Sequence, residues 1–109
     1  MKEIILHCPL AVIELLYKAM HAYAHAAYPP GGSECAQSAR EAILTSAEKL
    51  KKEFDVTTNT SRLSRRIRAH VKAALEYYFE QMPGYSQAQK ALVNSVLAGE
   101  TVLQEQWQA

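Results

Sequence analysis

Apolar residues recur at helical spacing along most of the chain. Between Thr57 and Met82, Leu63, Ile67, Val71, Leu75 and Phe79 stand four apart, with Ala74, Tyr78 and Met82 beside them. That spacing, held for several turns, predicts one face of a helix and argues against a strand. Upstream, Val12, Leu16, Met20, Tyr23 and Ala27 mark one further helix, and Ala36, Ala39, Ile43, Ala47, Leu50 and Phe54 another. Downstream, Ala88, Leu92, Val96, Leu97, Val102, Leu103 and Trp107 mark the last.

Turn chemistry sets the limits of these elements. Pro9 fits a first helical position, where its missing N–H costs nothing. Pro29-Pro30-Gly31-Gly32 and Pro83-Gly84 are stops, and Ser33, followed by Glu34, is a favourable N-cap. Ser86 with Gln89 has the form of a capping box. Gly99, inside the last run, marks a kink or a close backbone approach. The predicted helices are about 9–28, 33–54, 59–82 and 86–107, with the 57–82 run as the organising element. Ile4, Ile5 and Leu6 form a short extended N-terminal arm, packed on the domain or paired with another chain. The expected fold is all-α: a compact four-helix bundle with short Pro/Gly turns, one domain over residues 1–109.

Composition changes this picture little. The chain has 109 residues, about half of them apolar, enough for one core without disulfide or metal staples. Glu14 and Lys18 interrupt the only candidate run for crossing a bilayer, and no secretory signal pattern is present, so a cytoplasmic protein with no membrane partner is expected. Cys8 and Cys35 are too few for a disulfide framework and are expected to be small apolar residues.

Charge distribution is more informative than net charge. Residues 49–72 hold eight bases (Lys49, Lys51, Lys52, Arg62, Arg65, Arg66, Arg68 and Lys72) against Glu53 and Asp55. The other positions hold four bases and nine acids, so a basic pole faces an acidic remainder. On the central helix the bases come first, and Glu76 and Glu80 follow, the reverse of what a helix dipole favours. Either acids on a neighbouring element compensate, or this end meets a partner carrying negative charge.

Residues 44–68, LTSAEKLKKEFDVTTNTSRLSRRIR, resemble a helix-turn-helix. The resemblance implies a second helix in the major groove and bases on phosphates. It departs from that pattern where Lys51 replaces a small residue, Asp55 a turn glycine and Ser61 an apolar one. No aromatic residue interleaves the arginines, which argues against a single-strand stacking platform.

Other chemistry is sparse. His21 and His25 stand four apart, as two metal ligands on one helix face would, but neither an HEXXH pattern nor a nearby carboxylate completes a site. No phosphate loop, nucleophile elbow or carboxylate pair is present, so no catalytic residue, metal or cofactor is assigned and the chain is not expected to be an enzyme. Tyr17, Tyr23, Tyr28, Tyr77, Tyr78, Tyr85 and Trp107 exceed what one small core buries easily, and such rings serve as interface anchors. Tyr77, Tyr85 and Trp107 are the expected protein-interface residues.

The expected function is a non-enzymatic regulator or inhibitor. It would bind a protein partner, such as a nucleic-acid-handling complex, through the basic pole and these rings. The alternative is direct nucleic-acid binding by the basic helix. Self-association through the arm or the alanine-rich helix suits either. The small alanine-rich chain also suits an accessory protein of a mobile element, although no residue pattern carries that assignment.

Overall fold

The structure is a computed structural model describing residues 2–108. It begins with β1 (Glu3–His7), α1 (Leu10–Ala27) and α2 (Glu34–Lys52), and then β2 (Thr60–Ser64) leads through a 3-10 turn (Arg65–Ile67) into α3 (Arg68–Gln81). Two helices close the chain, α4 (Gln87–Leu97) and α5 (Gln104–Gln108). The fold is therefore mixed. Among the described residues it combines five α-helices with a two-stranded antiparallel sheet, and is not the expected all-α four-helix bundle.

The correction centres on residues 59–64. The N-terminal arm is extended as expected, but its partner is Thr60–Ser64 of its own chain, with Ile4 opposite Leu63 and Leu6 opposite Ser61. These four side chains are buried, whereas Ile5 and Arg62, paired on the other face, are exposed. Burial thus alternates with period two, as a half-buried strand requires. An extended arm must pair its N–H and C=O groups, and β2 supplies partners that a helix at 59–64 would have consumed internally. The Ser61 hydroxyl donates to the Leu50 carbonyl at 2.7 Å, fastening the strand to α2.

The polar break after α2 prepares this strand. Asp55 Oδ1 accepts from the amides of Thr57 (2.8 Å) and Thr58 (3.3 Å), and Asn59 takes the left-handed conformation with φ 53°. Asp55 and Thr60 then exchange backbone hydrogen bonds, closing the loop. The four-residue spacing is helical only from the end of the 3-10 turn: Ile67, Val71 and Leu75 are buried and Phe79 is partly so.

The first two helices begin and end within two residues of their expected limits, because their signals are local. Ser33 Oγ accepts from the Ala36 amide at 3.2 Å. The last helix is shorter than expected. It starts at the predicted capping box, Ser86 Oγ accepting from the Gln89 amide (3.0 Å) and Gln89 Oε1 from the Ser86 amide (2.9 Å). It ends at Leu97. Gly99, with φ 89°, donates to the Val96 carbonyl while Glu100 donates to that of Ser95, a left-handed stop instead of a kink. The chain then returns to the sheet, Val102 donating to the His7 carbonyl at 2.9 Å.

The 57–82 run is not the organising element; α1 is. It packs against both α2 and α3, and Val12, Ile13, Leu15, Leu16, Ala19, Met20 and Ala24 are all buried. Small residues at Ala19 and Ala24 permit the close approach of its neighbours. Around it lie Ile43, Ala47 and Leu50 of α2, Val71, Ala74 and Leu75 of α3, and Val93, Val96 and Leu97 of α4. Cys8 joins this core, but Cys35, expected to be apolar filling, is exposed in the first turn of α2.

The alternation in β2 can be tested by substitution. Leu63→Ala is expected to lower the unfolding free energy by about 2–5 kcal/mol. Ser61→Ala, leaving the Leu50 carbonyl without its partner, should lower it by about 1–3 kcal/mol. Arg62→Ala should cost less than about 1 kcal/mol. Urea unfolding of the three variants checks this, and equal losses at 62 and 63 would contradict the strand.

Candidate docking surface

The strand and 3-10 turn disperse the eight predicted bases. Glu3, on the outward face of β1, pairs with Lys49 (Nζ to Oε2, 3.0 Å) and lies 3.8 Å from Arg62. The Lys49 ammonium is held above its usual range, first by the hydrogen bond to Glu3 and then by its charge. Lys51 places its ammonium 4.7 Å from the centre of the Tyr17 ring, a cation–π contact on the seam with α1. Lys52 is exposed at the end of α2.

Arg65, Arg68 and Lys72 come together. Arg65 to Arg68 spans the junction of the 3-10 turn with α3, and Arg68 to Lys72 is one α-helical turn, so the three share a face. With Ala69 they line a shallow hollow of about 340 Å³. Arg66 is exposed in the same turn. Among the described residues, no carboxylate lies within 4.0 Å of Arg65, Arg66, Arg68 or Lys72. The Nε of Arg68 is buried without a hydrogen-bond acceptor.

This placement is unfavourable for α3 alone. Its first turn has no acidic residue and no side-chain cap, while bases crowd the end where the dipole is already positive. Glu3 supplies the compensation considered from the sequence, but only at Lys49 and Arg62. The four bases at the start of α3, Arg65, Arg66, Arg68 and Lys72, receive none of it.

The predicted interface rings divide likewise. Tyr85 and Trp107 line one cleft of about 310 Å³ with Glu14, Leu15, Lys18 and Gln89. Tyr77 lies instead against Tyr23, ring centres 6.1 Å apart, and Tyr78 beside it in sequence is buried. Tyr85 and Trp107 are partly buried against the core, and Tyr77 is half-buried, so each is less than fully exposed. Burial, and then the neighbouring Tyr78, push the Tyr85 hydroxyl above its ordinary range.

A polar seam between α1 and α2 is the feature that sequence reasoning missed. The Tyr17 hydroxyl donates to Glu48 Oε1 at 2.9 Å, and His21 Nε2 lies 3.5 Å from the same oxygen. His25 Nδ1 meets the Arg40 guanidinium at 3.0 Å. His21 does have a carboxylate nearby, but it comes from another helix, where no local pattern announces it. Its Nε2 makes no hydrogen bond there. Among the described residues, no group of three or more His, Cys, Asp or Glu side chains is arranged to hold a metal.

Nor is a nucleophile activated at Cys8. Burial pushes its thiol up to about 12, so it stays protonated at neutral pH. No helix among the described residues is long and apolar enough to cross a membrane. Comparison with protein-family models, curated proteins and solved structures gives no match.

A thiol reagent at neutral pH should label Cys35 in the folded protein and Cys8 only after unfolding. Because folding raises the Cys8 pKa, its contribution to stability is complete below about pH 9 and is lost as pH rises toward 12. Cys8→Ala should remove that part of the alkaline loss, read as the difference between the two proteins' stability–pH curves.

Proposed function

We propose that the protein works by binding and not by catalysis, as a small cytoplasmic regulator or inhibitor. It docks on an acidic surface of a protein partner through Arg65, Arg66, Arg68 and Lys72, with Lys52 as an outlying contact. The observation that carries this reading is the set of four bases gathered at the start of α3 with no carboxylate within 4.0 Å among the described residues. Charge left outward in this way costs the free protein stability, and an acidic partner recovers it while steering the encounter. Tyr85 and Trp107, sharing one cleft, are a second contact of the kind interfaces use as anchors.

Direct nucleic-acid binding is the less favoured reading. A helix-turn-helix would present the start of its second helix to the major groove. Here residues 60–64 are a strand, and Arg62 is turned toward Glu3. Lys49 and Arg62 share that carboxylate and Lys51 sits on a tyrosine, so the basic pole offers fewer free charges to phosphates than its composition implies.

Arg65→Glu/Arg66→Glu is expected to keep the wild-type circular dichroism spectrum, since both side chains are exposed. Affinity capture from host extract should retain one stoichiometric protein on the wild type at low salt and at least tenfold less on the variant. Retention of a generic DNA duplex in place of a protein, falling steeply with salt and lost in the variant, would establish the other reading. Equal capture by both proteins would remove the basic face from the mechanism.

A further inference from the structure

The hollow beside Arg65, Arg68 and Lys72 focuses three positive charges on one place. Arg65 and Lys72 are exposed, and Arg68 is partly buried with its Nε enclosed and unpaired. The enclosed Nε is out of reach of an external group, but among the described residues the remaining N–H groups of the Arg68 guanidinium have no carboxylate within 4.0 Å, and these can engage an acceptor from outside. Glu76 and Glu80 lie further along the same helix, exposed, and confine a bound anion to the first turns of α3.

The kind of anion follows from the donors. Two guanidinium groups and an ammonium exceed what one carboxylate engages, since it has a single charge and two oxygens. A phosphomonoester carries roughly −1.5 to −2 charges at pH 7 and three acceptor oxygens, one for each base. A nucleic-acid backbone instead spreads single charges along a strand, which a basic track matches better than one focus. We infer that the hollow receives a phosphoserine or phosphothreonine side chain of the protein partner. This rests on the binding role proposed above and adds its regulation: phosphorylation of the partner switches docking on.

The test uses the full-length isotope-labelled protein and a glycine-serine peptide carrying one phosphoserine, alongside its glutamate and unmodified serine counterparts and a DNA duplex. The phosphopeptide is expected to shift the resonances of residues 65–72 and to bind at least tenfold more tightly than the glutamate peptide. Arg65→Gln/Lys72→Gln, which changes only exposed side chains, should weaken it at least tenfold. Arg68→Lys, which keeps the charge but removes the fork, should weaken it several-fold. Equal binding of the glutamate peptide would overturn the phosphate assignment and leave the acidic-partner reading standing. Tighter binding of the duplex at the same residues would overturn both, as would the absence of any shift at 65–72 together with undiminished partner capture by Arg65→Glu/Arg66→Glu.

Discussion

Pairing between the N-terminal strand and Thr60–Ser64 is the constraint from which the rest follows. It buries Ile4, Leu6 and Leu63 against the core and gives the arm's backbone its hydrogen-bond partners. It also consumes five residues that the spacing alone would place in a helix. The third helix must therefore start at Arg68, after a single 3-10 turn. That delay turns Arg62 toward Glu3, away from the face on which Arg65, Arg68 and Lys72 line one hollow. A continuous helix from residue 59 would have kept those three on one face and added Arg62 beside them.

Much of the helical framework could be read from the chain because its signals are local. Pro9, Ser33 and Ser86 each act within a turn of where they stand, and the first two helices and the start of the fourth fall close to their predicted places. The strand was not legible for a physical reason. Leu63 satisfies two periods at once, four residues before Ile67 and two after Ser61, and the deciding partner is at the other end of the chain. The buried Ser61 was likewise decided by a tertiary contact, the Leu50 carbonyl. The end of the fourth helix did carry a sign, since glycine is the commonest residue just past a helix terminus. The apolar run on both sides of Gly99 hides that sign, since a kink or a close backbone approach fits such a position equally well.

The basic pole was visible as composition but not as geometry. Counting charges over residues 49–72 finds the eight bases; only the fold shows that Glu3 holds two of them and Tyr17 a third. What remains is smaller and more sharply defined. Natural chains tolerate such locally unfavourable charge where binding needs it, and the well-packed α1 supplies stability elsewhere. The seam of Tyr17, His21 and Glu48 teaches the converse. Its members lie on two helices, and no spacing rule joins them.

The return of the chain after Gly99 has a bearing on solubility. An uncovered strand is a template for pairing with other molecules, and proteins with small sheets need some guard against it. Here the segment after Gly99 bridges to His7 and occupies its carbonyl through Val102, closing one end of the free edge of β1. A stretch distant in sequence thus removes part of a surface on which indiscriminate self-adhesion could begin.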